Sequence, residues 1–267
     1  MPQDLRLPVL RNVELDQASF LLEFSAPTMT ASMRPAQFFM IGIPGGETLL
    51  RRPYSVCGLP GTFDDGAPGA AQLLYKVVGR GTALLAALKN GAALDVLGPL
   101  GNGFAIPEQP ALHPVLVAGG IGVAPFPALV AALGPAHVPR MFYGARTTGD
   151  LALARWFERR TELTLATEDG SAGRRGRVTE PLEEFLAASE PRLLHVYACG
   201  PEPMLRAVAR LAARFAVRTD LALEAHMACG FGVCLGCVVP TRRRGSEFGY
   251  ERVCIEGPVM PAEALAW

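Results

Sequence analysis

Neither sign of charge dominates this chain of 267 residues: Lys+Arg and Asp+Glu number 25 each. Without an excess of positive charge there is no electrostatic reason to expect DNA, RNA or an anionic membrane surface as the main partner. Charge is scarce as well as balanced, at 19% of residues against 50% hydrophobic, and this excludes wholesale disorder. Met1 to Leu10 lacks an apolar core behind a basic start, so no secretory signal is read there and a cytoplasmic chain is expected. Charge is absent altogether from Pro114 to Val138, a stretch long enough to invite a membrane helix. Its four glycines and four prolines point instead to a buried strand, a tight turn and a helix start, so no membrane span is expected. There is no internal repeat and no low-complexity tract.

The length gives room for two ordinary domains, or two with a small appended module. From Leu5 to about Leu100, short apolar runs at Phe20 to Phe24, Phe38 to Ile43, Leu73 to Val78 and Leu94 to Leu97 predict a small antiparallel β-barrel or sandwich, the barrel being the expectation adopted. Gly61 to Gly69 reads as a hairpin loop, and Ala83 to Leu88 as one helix within this part. A proline-bearing stretch, Ile106 to His113, marks a boundary. Beyond it, candidate buried strands at Pro114 to Ala118, Val138 to Tyr143, Leu163 to Thr167 and Leu193 to Ala198 alternate with helical patterns at Ala128 to Leu133, Asp150 to Arg160, Pro181 to Ala188 and Pro203 to Phe215. Such alternation predicts an α/β unit: a parallel sheet with helices on both faces, taking ligands at its strands' carboxyl ends. After Leu221 the chain turns rich in Gly and Cys. The expected division is 1–105, 110–220 and 221–267.

Four of the six cysteines fall in the last 39 residues, and with no signal sequence a metal centre is the better reading than disulfides. Cys229, Cys234 and Cys237 are separated by four and then two residues, and Cys254 follows after sixteen more, the plant-type 2Fe-2S spacing. Gly230, Gly232 and Gly236 let the loop wrap a cluster, so that backbone N–H groups can reach the sulfurs. Structural zinc is the main rival, although zinc sites usually show two close pairs. Cys57 and Cys199 lie outside the set and are expected to be buried apolar residues.

Arg52-Pro53-Tyr54-Ser55 supplies in sequence a cation, a flat ring and a small polar group, which a flavin site needs. An edge-strand turn is the bland alternative. A second segment shifts the balance: Leu74-Tyr75-Lys76 leads through Gly79-Arg80-Gly81-Thr82 into a helix, an arrangement suited to phosphate. Farther on, Gly119-Gly120-Ile121-Gly122 follows the first strand of the parallel sheet, where a dinucleotide pyrophosphate would lie. Cys199-Gly200-Pro201-Glu202-Pro203-Met204 ends a later strand in the same way, and the two loops are expected to face one cleft. Arg174, Arg175 and Arg177 read either as a solvated charged loop or as an adenosine 2′-phosphate site. Arg242-Arg243-Arg244 reads as an exposed turn that could guide a partner. His113, His137, His195 and His226 show no ligand spacing and no nearby acidic partner in sequence, and no general acid–base pair is evident; no catalytic residue is assigned.

In this order, with Gly98-Pro99-Leu100-Gly101-Asn102-Gly103-Phe104 and the closing Cys254 to Val259, the motifs resemble the electron-transfer subunit of type B (NAD-linked) dihydroorotate dehydrogenase, of the ferredoxin-reductase-like flavoproteins. The resemblance implies FAD contacts from Arg52, Pro53, Tyr54, Ser55, Leu74, Tyr75, Lys76, Gly81 and Thr82. It implies nicotinamide contacts from Gly120, Gly122, Gly200 and Pro201, and cluster ligands Cys229, Cys234, Cys237 and Cys254. Tyr54 stands where relatives often have an aliphatic residue, which changes packing on the flavin. The implied function is electron transfer between NAD(H), FAD and a 2Fe-2S cluster, with a flavin-containing dihydroorotate dehydrogenase catalytic subunit as partner in a two-plus-two heterotetramer. FAD exchanges both hydride and single electrons, and is expected between the other two carriers. The alternatives are the small subunit of a ferredoxin:NADP or sulfide oxidoreductase, and a non-enzymatic zinc-binding adaptor.

Overall fold

The computed structural model describes residues 1–16, 19–43, 48–106, 112–135, 137–243 and 246–267. Its first part is built from β1 (Gln3–Asp16), β2 (Ser19–Ser25), α1 (Pro27–Thr30), β3 (Phe38–Gly42), β4 (Arg52–Gly58), β5 (Ala70–Lys76), α2 (Arg80–Ala86) and β6 (Ala93–Leu100). The six strands close into a barrel in the order β1-β2-β5-β4-β3-β6, with β1 pairing β6. Side chains alternate in and out with period two. Leu22, Phe24, Phe39, Ile41, Leu73 and Tyr75 fill the interior. Their neighbours Leu21 and Leu74 point outward into one second core, and Phe38 and Met40 into another.

The second part comprises β7 (His113–Gly119), α3 (Phe126–Leu133), β8 (Arg140–Ala145), α4 (Ala154–Glu158), β9 (Glu162–Thr167), β10 (Arg174–Arg175), α5 (Thr179–Ala187), β11 (Leu194–Cys199), α6 (Glu202–Phe215) and β12 (Arg218–Ala222). After it come a hairpin of β13 (Val238–Arg243) with β14 (Ser246–Arg252), and the short β15 (Val259–Pro261). The sheet order is β10-β9-β8-β7-β11-β12-β15, parallel except that β15 joins antiparallel. Alternation sorts its residues between two cores: Val115 and Val117 meet α5 and α6, whereas Leu116 and Ala118 meet α3 and the barrel's outer wall. The uncharged Pro114 to Val138 stretch is thus a buried strand, a 3₁₀ turn and the eight-residue α3. Among the described residues no helix is long and apolar enough to cross a membrane.

The helix expected over Asp150 to Arg160 is shorter. Leu153 takes a left-handed φ of 60° immediately before α4, and Asp150 is held by its own turn through Thr147. The expected boundary at Ile106 to His113 contains residues 107–111, which lie outside the described residues, as does Arg244.

The C-terminal segment is knitted into both other parts. β15 completes the nucleotide-type sheet beside β12. The Asn102 side-chain amide donates to Glu256 O at 2.7 Å and Val259 O at 2.9 Å, and its carbonyl accepts from Val259 N–H at 2.9 Å. The Asn102 N–H donates to Gly257 O at 2.7 Å. Gly101, at φ 68°, permits the approach: a Cβ there would lie 2.5 Å from Pro258 Cδ. On the sheet, parallel pairing of β11 with β12 brings His195 to a carboxylate 25 residues away, Nε2 lying 2.9 Å from Asp220 Oδ2. Tyr197 extends this buried chain, with its hydroxyl 2.9 Å from His195 Nδ1 and donating to Ala105 O at 2.9 Å.

Replacing Asn102 with Ala strips two carbonyls and one N–H of their partners. The expected loss is about 2–4 kcal/mol of stability, read as a lower urea midpoint at unchanged slope.

Candidate functional site

β4 presents Arg52, Pro53, Tyr54 and Ser55 at the barrel's open flank, with Arg52 exposed and the next three half-buried. The Arg52 guanidinium lies against α2: a Cβ on Gly81 would sit 2.6 Å from Arg52 Cζ. Among the described residues Arg52 has no carboxylate partner and donates to Leu50 O at 3.2 Å, so the cation is available to an anionic pyrophosphate. Thr82 is occupied locally, accepting from the Val78 and Gly79 N–H groups at 2.9 and 3.1 Å. Burial pushes the Tyr54 phenol up from its ordinary value, and its ring meets Tyr75 edge-on at 6.1 Å. The two residues preceding Lys76 part company. Leu74 faces the sheet, whereas Tyr75 faces the barrel interior with its hydroxyl donating to Asn12 Oδ1 at 3.0 Å, so only its backbone is offered outward. These residues fit a flavin dinucleotide: a cation, a flat half-buried ring and a close backbone approach lie side by side.

At the carboxyl end of the sheet the two glycine loops touch. A Cβ on Gly122 would fall 2.5 Å from Gly200 Cα and 2.6 Å from Cys199 O. Gly120 adopts a left-handed φ of 52° over open space. Gly120, Gly122 and Pro201 line a cleft of about 510 Å³, shared with Lys76 and Ser19 of the barrel, while Gly200 packs against Gly122. The absence of side chains at the loops leaves backbone N–H groups and room for a pyrophosphate, which fits a nicotinamide dinucleotide. Sequence reasoning missed several lining residues. Asp150 pairs across the barrel–sheet boundary with Lys76, itself an expected flavin contact, and the ammonium holds that carboxyl below its usual range. Glu224, between β12 and the cysteine loop, is pushed up by burial. Neither belongs to a local motif, so only the tertiary fold brings them in.

The four cysteines lie near one another: Cys229 interacts with Cys234, and Cys254 with Cys237 and also with Cys229. Among the described residues, no three His, Cys, Asp or Glu side chains converge as ligands of a single ion. A binuclear cluster needs four thiolates shared between two irons, and four neighbouring cysteines of which no three converge on a single ion fit that demand. Burial opposes ionisation of Cys229, yet backbone N–H groups of Cys234, Phe231 and Val233 overcome it and bring the thiol down to about 6. Cys254 is pushed up to about 12 by burial and by the neighbouring Cys237. The loop is braced by Arg252, which donates to Gly232 O at 3.1 Å and pairs with Glu256. Cys57 and Cys199 are buried among apolar residues. Phe231, Val233, Leu235 and Ile255 leave the rim of the loop apolar and exposed.

Comparison with known proteins agrees with this geometry. Residues 224–266 match the family model described as the iron-sulfur cluster binding domain of dihydroorotate dehydrogenase B, and residues 116–210 match the oxidoreductase NAD-binding domain. The dihydroorotate dehydrogenase B (NAD(+)) electron transfer subunit of Bacillus caldolyticus is 38% identical over 263 residues, covering 96% of each chain. That of Caldanaerobacter subterraneus subsp. tengcongensis is 37% identical over 231 residues, 86% of each. Among solved structures, one of an NADH-dependent reduced ferredoxin-NADP oxidoreductase superposes with TM-score 0.82 at 28% identity, covering 98% of this chain and 90% of that one. A Neisseria gonorrhoeae ferredoxin NADP+ reductase with bound FAD and NADP shares the fold, with TM-score 0.65 at 17% identity over 79% of this chain and 91% of that one. By near full-length identity to those subunits, the chain belongs to the family of dihydroorotate dehydrogenase B electron transfer subunits.

Proposed function

We propose that this chain carries electrons between NAD(H) and a flavin-containing dihydroorotate dehydrogenase catalytic subunit, holding FAD and a 2Fe-2S cluster of its own. The observation that carries this reading is the meeting of the three sites. A Cβ on Gly230 of the cysteine loop would lie 2.4 Å from Met40 Cγ, and Met40 pairs across β3 and β4 with Pro53 of the flavin motif. Glu224 lines the dinucleotide cleft five residues before Cys229. When bound, the flavin supplies exchange between two-electron and one-electron transfer, and the cluster conducts single electrons.

The chain's own residues bind, orient and insulate. Arg52 neutralises the flavin pyrophosphate, while Pro53, Tyr54 and Ser55 set the ring plane with the backbone of Leu74, Tyr75 and Lys76. Gly81 lets Arg52 lie close, and Thr82 holds the turn. Gly120, Gly122, Gly200 and Pro201 seat the nicotinamide nucleotide against the barrel mouth. Cys229, Cys234, Cys237 and Cys254 hold the cluster, with backbone donors favouring the charged sulfurs. The exposed rim of Phe231, Val233, Leu235 and Ile255 gives the catalytic subunit an apolar surface to cover. We place the complex in the cytoplasm as a two-plus-two assembly, with units at 1–105, 110–220 and 221–267, and with β15 linking the last to the second.

Anaerobically purified chain is expected to hold two irons and one FAD, with visible absorption from both. Cys254→Ser should remove the iron absorption while retaining the flavin; colourless protein containing zinc would refute the assignment. Gly122→Ala is expected to raise the NADH dissociation constant at least tenfold with FAD content unchanged, measured by equilibrium titration, because its Cβ has no room against Gly200.

A further inference from the structure

The run of arginines near residue 175 does not behave as one patch. Arg174 is consumed by a bidentate pair with Glu184, at 2.7 Å to each carboxylate oxygen, with Glu180 3.8 Å away. Arg177 is different: it lines the dinucleotide cleft, and although its backbone N–H donates to Glu180 Oε1 at 3.3 Å, its guanidinium has no carboxylate partner among the described residues. Across the same cleft stands Arg146, the residue immediately after β8. Its side chain is 80% exposed, and its one ionic approach is a long 3.9 Å to Asp150, a carboxylate already held by Lys76. Glu168, directly after β9, is the cleft's acidic counterpart at this end.

Which end of a dinucleotide lies here follows from the reading of the site given above, on which this inference rests. The reactive end must lie toward Glu224 and the cysteine loop, on the β11 and β12 side of the glycine loops. The adenosine end then runs the other way, over the carboxyl ends of β8 and β9. In parallel sheets that bind dinucleotides, this is where an acidic side chain accepts the ribose 2′-hydroxyl, or an arginine takes a 2′-phosphate. Here both chemistries are present: the Arg177 guanidinium has no carboxylate partner among the described residues, and that of Arg146 only the long approach to Asp150, with Glu168 as the opposing carboxylate. A 2′-phosphate brings about two negative charges near neutral pH and three acceptor oxygens, which suit guanidinium donors.

We propose that Arg146 and Arg177 form a cationic subsite for an adenosine 2′-phosphate, opposed by Glu168, so that the cleft takes NADPH as well as NADH. The subsite sets coenzyme preference by charge balance, without rebuilding the pyrophosphate loops. The relatives named above carry NAD(+) in their names, and this selectivity belongs to the present chain's own side chains.

Fragment binding tests the subsite apart from electron transfer. The purified full-length chain is titrated calorimetrically with 2′,5′-ADP and with 5′-AMP at low and high salt. The doubly phosphorylated fragment is expected to bind at least tenfold tighter at low salt, with the advantage shrinking as salt rises. Arg146→Gln and Arg177→Gln should each cut that ratio roughly tenfold, and Glu168→Gln should raise it. Equal affinities for the two fragments, or a ratio indifferent to all three substitutions, overturns the subsite while leaving the dinucleotide cleft standing. Failure of both fragments and of NADH to bind overturns the cleft assignment along with it.

Discussion

Everything the molecule does depends on how firmly the segment around Cys254 is tied down, and Asn102 ties it. The amide reaches across from the end of the barrel and satisfies three backbone groups of Glu256 and Val259 at once. One side chain therefore fixes the spacing between the barrel, the fourth thiol and the edge of the sheet. A side chain that serves two carbonyls and an N–H is hard to replace, because each group it abandons keeps its desolvation cost. The glycine before it is equally constrained, since Pro258 occupies the place of its missing Cβ. Electron transfer between separate centres needs fixed distances more than it needs catalytic side chains, and this junction supplies them.

The cores show the same economy. The outer wall of the barrel is not a free surface: Leu21 and Leu74 share one apolar cluster with the sheet, and Phe38 and Met40 share another that also contains Cys237 and Cys254. Separating the barrel from the sheet would expose both clusters to water. The thiols differ in accessibility, Cys237 and Cys254 being buried while Cys234 is exposed. Thus one pair is anchored in the shared core and the other faces the apolar rim.

Much of this was legible in the sequence because it depends on local chemistry. Cysteine spacing, glycine loops after apolar runs, and Arg-Pro-Tyr-Ser are short-range signals, and short apolar runs placed eight of the strands. Among the strands that escaped were β1, which carries polar residues such as Arg11 and Asn12 among its apolar ones, β12 and the β13–β14 hairpin in the stretch from 218 to 252, and β15, three residues long and meaningful only beside β12. Pairings across the fold were equally invisible: Lys76 with Asp150, His195 with Asp220, and Glu224 at the cleft all join residues far apart in the chain or outside any motif. The arginine run misled in the opposite direction, since adjacency in sequence concealed that Arg174 faces Glu184 while Arg177 faces the cleft.

The position of β15 has a consequence for biosynthesis. Strands β1 to β12 emerge from the ribosome before Cys254 and before the strand that closes the sheet beside β12. By then the polypeptide already carries the flavin and dinucleotide motifs of its two larger parts while still lacking its last thiol. The fourth thiol and the strand that closes the sheet thus come from one late stretch, so a ribosome that stalls after β14 leaves behind a protein without its last cluster ligand and without that strand.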